Sequence, residues 1–181
     1  MKIKTSNKLD LKDVIRNVPD FPLKGIMFRD ITTLVKDQKA FKHVIDVFYN
    51  RYKNKKIDQV VGIESRGFIF GGALAHRLKC GFAPARKPGK LPADTIEESY
   101  DLEYGKATLQ MHTDAIKKGE MVIIIDDLLA TGGTLTATAK LIERLGGKVI
   151  EIAVVIELTF LNGREKLKGY KLHSLVEYHS D

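Results

Sequence analysis

The hydrophobic pattern is strongest at Met121-Val122-Ile123-Ile124-Ile125, an unbroken, mostly β-branched run that suits a strand covered on both faces, as in a parallel sheet. Two carboxylates, Asp126 and Asp127, follow it, and then the small-residue stretch Ala130-Thr131-Gly132-Gly133-Thr134. From Leu135 onward the apolar positions Ala139, Leu141, Ile142 and Leu145 take helical spacing, which stops at Gly146-Gly147. The stretch therefore reads as strand, turn, helix. The same order occurs earlier, with a strand over 59–63, the turn Glu64-Ser65-Arg66-Gly67 and a helix over 68–79. Further strands are predicted over 82–86, 107–112, 149–156 and 172–176, and a short helical turn over 113–119. Leu9, Val14, Ile15 and Val18 predict an amphipathic helix over 8–18, stopped by Pro19. Phe41, Val44, Ile45, Phe48 and Tyr52 predict another over 38–53. Between these two, residues 19–30 form a loop too apolar to be left in water, while 91–106 is polar and reads, from its residues alone, as an exposed hairpin with solvated charges.

The expected architecture is α/β: a parallel-cored sheet of about five strands with helices on both faces, in a single domain over 1–181. In such a sheet the two strand-to-helix turns lie at its carboxyl edge, where ligands bind.

Composition narrows the class. The chain has 181 residues, 44% hydrophobic and 29% charged, as in a soluble globular protein. No apolar run approaches the roughly 18 residues of a membrane span, and residues 1–7 lack the apolar core of a secretory signal, so a cytoplasmic address with no membrane partner is expected. Cys80 is the lone cysteine, which excludes an internal disulfide and suits a core residue. The histidines show no metal-ligand spacing. A net charge of +7 invites a nucleic-acid reading, but the basic residues are scattered and the cluster at 53–56 reads as a solvated helix end. A substrate with several phosphates accounts for part of the excess.

A turn of Ala130, Thr131, Gly132, Gly133 and Thr134 lets backbone N–H groups converge at the positive end of a helix dipole, which is a phosphate cradle. It has neither the Gly-Lys-Ser/Thr of a Walker loop nor the glycine spacing of a dinucleotide site. Asp126 and Asp127 would repel a phosphate directly, so a neutral polyol or a cation belongs between them. A ribose 5-phosphate satisfies both ends.

Residues 126–134 resemble the 5-phosphoribosyl-1-pyrophosphate signature of the type I phosphoribosyltransferases. Val61-Gly62-Ile63-Glu64-Ser65-Arg66-Gly67-Phe68, Arg86-Lys87-Pro88-Gly89-Lys90-Leu91-Pro92 and Ser99-Tyr100-Asp101-Leu102-Glu103-Tyr104-Gly105, in that order and spacing, are similar to the adenine-specific branch of that family. The resemblance runs from Phe21-Pro22 to Gly163-Arg164-Glu165-Lys166-Leu167. It implies the type I fold with a small flexible hood at about 91–112 and an N-terminal base-binding flap at about 19–30. It also implies purine salvage, in which adenine and 5-phosphoribosyl-1-pyrophosphate give AMP and pyrophosphate. Asp126 and Asp127 would hold the ribose, and Ala130 to Thr134 the 5-phosphate. Ser65, Arg66, Lys87 and Tyr104 would hold pyrophosphate, with a non-proline cis peptide at Glu64-Ser65. Phe28 would stack on adenine while the backbone of Met27 and Arg29 reads its edge. Arg66 and Glu103 are the catalytic candidates, Glu103 for proton movement on the purine. Magnesium is implied through the substrate rather than through protein ligands, and a homodimer is implied as well.

Two rival readings fit some of the same residues. A transferase for a 6-oxopurine would keep everything except the hydrogen-bond pattern at Met27 and Arg29. A regulator that senses the ribosyl substrate and binds nucleic acid would need an added module, for which 181 residues leave little room.

Overall fold

The structure is a computed structural model that describes residues 9–101 and 105–180. The chain divides into two compact units, one running up to Val44 and the other Ile45–Ser180.

In the smaller unit, strand β1 (Arg16–Val18) pairs antiparallel with β2 (Phe28–Asp30), with Arg16 opposite Asp30. The Arg16 guanidinium donates to the Asp30 carboxylate across that pair. Helix α1 (Thr32–Lys36) follows. The helix expected over 8–18 is not formed: its described part holds a 3-10 turn, Leu11–Asp13, and then β1. The apolar spacing was real, since Leu11 and Ile15 are buried. However, Asp10 caps the turn by accepting from the Lys12 N–H at 2.9 Å, and Arg16 is drawn into the sheet by Asp30. Helix α1 is too short to show a period, and the sequence reading missed it.

Helix α2 (Gln38–Tyr52) carries the chain into the larger unit, where β3 (Gln59–Ile63), α3 (Arg66–Leu78), β4 (Gly81–Ala85), β5 (Thr95–Asp101), β6 (Lys106–His112), β7 (Met121–Leu129), α4 (Gly133–Arg144), β8 (Lys148–Leu158) and β9 (Leu172–Tyr178) follow. The main sheet is all parallel, in the order β4-β3-β7-β8-β9. From β3 the chain crosses through α3 to β4 on one side. From β7 it crosses through α4 to β8 on the other. Right-handed crossovers in opposite directions put α3 and α4 on opposite faces. The packing agrees: Val122 and Ile124 share a core with Leu135, Leu141 and Ile142 of α4, while the alternate residues Ile123 and Ile125 are equally buried on the far face. The direction of winding reverses between β3 and β7, so a crevice opens at their carboxyl ends.

Several boundaries differ from expectation. Strand β7 runs on to Leu129 because β8 extends beside it, with Asp126 opposite Val154 and Leu129 opposite Glu157. The aspartates thus lie within the strand rather than after it. Residues 113–119 form turns instead of a helical turn, closed by Gly119 at φ +87°. The polar stretch contains β5, which pairs antiparallel with β6 in a hairpin from Thr95 opposite His112 to Asp101 opposite Lys106. The hairpin agrees with the exposed-hairpin reading of 91–106, but its outward residues, Glu97, Ser99 and Asp101, concealed that Ile96 and Tyr100 pack on the α4 core. Cys80 is half-buried rather than in the core, and burial pushes its thiol up. The basic cluster is only partly free in solvent: Lys55 reaches Glu151 at 3.7 Å, beside the Arg51–Glu151 pair at 2.6 Å. Among the described residues no helix is long and apolar enough to cross a membrane.

Candidate active site

The doublet sits at the carboxyl end of β7. Asp126 is 9% exposed and Asp127 3%, and the Asp127 N–H donates to Asp126 Oδ1 at 2.9 Å. Helix α3 approaches so closely that a Cβ on Gly67 would lie 2.7 Å from the Ile125 carbonyl oxygen and 2.9 Å from Asp126 Oδ1. Only glycine fits there. Burial raises the pKa of Asp126 well above the usual carboxylate range, and the charge of Asp127 adds to the effect. Burial raises Asp127 as well, opposed by Arg66, whose Nε lies 2.7 Å from Asp127 Oδ2.

Beyond the doublet the chain turns through Ala130 to Gly132, which takes φ +80° and caps α4. The first N–H groups of that helix have no acceptor one turn back, so they are available at the turn. The turn is backed by a second tight approach. A Cβ on Gly132 would come within 2.5 Å of the Gly163 carbonyl oxygen, and one on Gly163 would overlap the Ala130 carbonyl. The 3-10 turn Gly163–Leu167 is itself fixed by Arg164, which donates twice to buried Glu157 at 2.5 Å. Ser174 donates to the same carboxylate at 2.8 Å.

On the other side of the crevice the Glu64-Ser65 peptide is cis, as is Phe21-Pro22 in the smaller unit. Glu64 accepts from Arg86 at 3.0 and 3.3 Å and from the Lys87 N–H at 3.2 Å. The Arg86 bond holds its carboxyl below the ordinary value. Glu64 thereby fastens the basic loop after β4 to the end of β3. Nothing local in the sequence points to this role for Glu64, because its partner lies 22 residues away.

These elements enclose a cleft of about 400 Å³. Of the residues singled out from the sequence, Ser65, Arg66, Lys87, Asp126, Asp127, Ala130, Thr131, Gly132 and Thr134 all line it. Gly133 lies behind, against the Tyr100 ring. Glu103 and Tyr104 are outside the described residues. Met27, Phe28 and Arg29 belong to the smaller unit, where Phe28 meets Phe21 edge-on at 5.1 Å and Arg29 donates to Asn17 at 2.7 Å. Tyr100 also lines the cleft, and the sequence reading missed it as a site residue. The only signal was its inward position in an alternating strand.

A parallel sheet whose switch-point crevice holds a buried carboxylate doublet on one wall and a glycine turn at a helix N-terminus beside it has the layout of a phosphoribosyltransferase. The phosphoribosyl transferase domain matches residues 30–176. A relative described as adenine phosphoribosyltransferase, from Desulfosudis oleivorans, is 53% identical over 173 residues, 96% of this chain and 100% of that one. The crystal structure of adenine phosphoribosyltransferase from Thermoanaerobacter pseudethanolicus superposes with a TM-score of 0.89 at 53% identity, covering 92% of this chain and 97% of that one. The Trypanosoma brucei enzyme, solved with AMP, pyrophosphate and ribose-5-phosphate, gives 0.84 at 28% identity, over 92% and 77%. The chain belongs to the adenine phosphoribosyltransferase family.

Proposed function

We propose that the chain transfers the 5-phosphoribosyl group from 5-phosphoribosyl-1-pyrophosphate to adenine, giving AMP and pyrophosphate in purine salvage. The observation that carries this reading is the adjacency of the buried doublet to the phosphate turn within one cleft. The turn takes the 5-phosphate through backbone N–H groups, and Asp126 and Asp127 take the ribose hydroxyls. As the bond to pyrophosphate lengthens, positive charge grows on the sugar, and the carboxylates stabilise it. Arg66, Ser65 and Lys87 face the departing pyrophosphate. Among the described residues no group of three or more His, Cys, Asp or Glu could hold a metal. Two adjacent carboxylates next to a substrate rich in phosphate oxygens nevertheless suit Mg²⁺ chelated mainly by that substrate. Magnesium would neutralise pyrophosphate as it leaves. The resemblance assigns adenine to Phe28 with the backbone of Met27 and Arg29, and the hood roles to Glu103 and Tyr104.

Purified protein with Mg²⁺ and 5-phosphoribosyl-1-pyrophosphate should form AMP from adenine and nothing from hypoxanthine, guanine or xanthine, and a chelator should abolish turnover. Nucleotide formed only from a 6-oxopurine would overturn the base assignment.

The working form is proposed to be a homodimer. Phe68, Ile69 and Phe82 make an apolar face beside the edge strand β4, with Ile69 41% and Phe82 37% exposed. Arg86 lies over the Phe68 ring at 5.8 Å, so this face is continuous with the basic loop of the site, and a second copy is the occupant it suits. Sedimentation should give twice the chain mass for the wild type and a shift toward monomer for Phe82→Asp. A monomeric wild type overturns the assignment.

A further inference from the structure

Tyr100 comes from the hairpin strand β5, yet its hydroxyl reaches the mouth of the phosphate turn, where the Thr134 hydroxyl donates to it at 3.2 Å. The ring is fixed: a Cβ on Gly133 would lie 2.7 Å from Tyr100 Cδ2, so glycine at 133 makes the seat on which the ring lies. Strand β5 is fixed too. Glu98 stands between Lys140 at 3.2 Å and Arg144 at 3.1 Å of α4, and Arg144 also donates to the Glu97 carbonyl at 2.6 Å. The phenol cannot follow a ligand, but its proton can rotate.

A threonine hydroxyl has one hydrogen to give, and a phosphate oxygen can only accept. The bond to Tyr100 uses that hydrogen. To serve a phosphate it must turn away, which would leave Thr134 Oγ1 without the contact it had. The phenol can then rotate its own hydrogen onto Thr134 Oγ1, so the same pair of oxygens stays bonded with the direction reversed. The chain Tyr100 O–H to Thr134 O–H to phosphate polarises each link toward the anion.

We infer that Tyr100 is a positioning residue for the 5-phosphate, holding the Thr134 hydroxyl in place and switching from acceptor to donor when the anion arrives. The inference rests on the reading of Ala130 to Thr134 as the 5-phosphate turn. It is tested with Tyr100→Phe, which keeps the ring on Gly133 and removes only the hydroxyl, in a cycle with Thr134→Val. Calorimetry with ribose 5-phosphate is read beside steady-state kinetics. Tyr100→Phe should weaken ribose 5-phosphate binding and raise the KM for 5-phosphoribosyl-1-pyrophosphate about tenfold. The kcat and the KM for adenine should change by less than about twofold. Because Tyr100 acts through Thr134, its substitution in the Thr134→Val background should change affinity by less than about twofold. Independent, multiplicative effects would overturn the inference, as would an unchanged affinity in Tyr100→Phe. Ribose 5-phosphate binding without AMP formation in the wild type would sink the functional reading alone and leave the cycle decisive. No ribose 5-phosphate binding at all would sink both.

Discussion

Asp126→Asn is expected to make the folded chain more stable at neutral pH while lowering turnover by roughly 10²–10³. The substitution keeps the shape, and the Asp127 N–H can still donate to the oxygen at that position. What it removes is a negative charge that burial and Asp127 both disfavour. The folded-state pKa of Asp126 lies above its unfolded value. The cost to folding is therefore absent below the unfolded value, grows as pH rises between the two, and is complete above the folded value. The stability advantage of Asp126→Asn should accordingly be present at pH 7 and vanish on acidification, as the wild-type carboxyl takes up its proton. Turnover should follow the opposite course. If Asp126 stabilises the ribosyl centre as proposed, wild-type kcat/KM should begin to fall on acidification while the pH is still above the ordinary carboxylate range. Urea unfolding of both proteins at several pH values, with kinetics alongside, tests the pair of statements. A variant no more stable than wild type at pH 7 would mean that the charge is compensated in the fold. Full turnover would mean that the site does not need it.

That opposition between stability and turnover also explains which parts of the molecule could be read from the sequence. The central strand and its following helix in the larger unit were legible because burial there leaves a clear hydrophobic pattern. The run 121–125 is covered on both faces, and α4 carries its apolar residues at helical spacing up to a glycine stop. The doublet was legible for the contrary reason, since two carboxylates at the end of an apolar strand violate the pattern and call for a function. What could not be read were features that depend on partners distant in the chain. Glu64 acquires its role only when β4 brings Arg86 beside it. Tyr100 does so only when β5 lies on α4. The N-terminal helix failed in the same way: local spacing favoured it, and an ion pair to Asp30, 14 residues on from Arg16, favoured a strand instead.

Gly163→Ala should disable the proposed phosphate turn although Gly163 does not itself line the cleft. A methyl group there would overlap the Ala130 carbonyl oxygen and come within 2.7 Å of Leu129 Cδ1 and 3.1 Å of the Ala130 carbonyl carbon. One side must give. The 3-10 turn bearing Gly163 cannot withdraw easily, because Arg164 is bonded twice to a Glu157 that is 2% exposed on β8. Ala130 is the softer side, and its movement shifts the N–H groups of the turn away from the 5-phosphate. Misplacement on the scale of 1 Å costs about 10²-fold, so ribose 5-phosphate binding and kcat/KM for 5-phosphoribosyl-1-pyrophosphate should fall by about that factor. Overpacking should cost roughly 1–3 kcal/mol of stability, which leaves a folded protein to assay. Gly72→Ala is the control, because nothing lies within 4 Å of a Cβ at that position of α3. Relief of the glycine penalty inside a helix, about 0.5–1 kcal/mol, should make that variant slightly more stable and leave binding unchanged. Wild-type affinity for ribose 5-phosphate in Gly163→Ala would show that the turn is not held by the contact behind it.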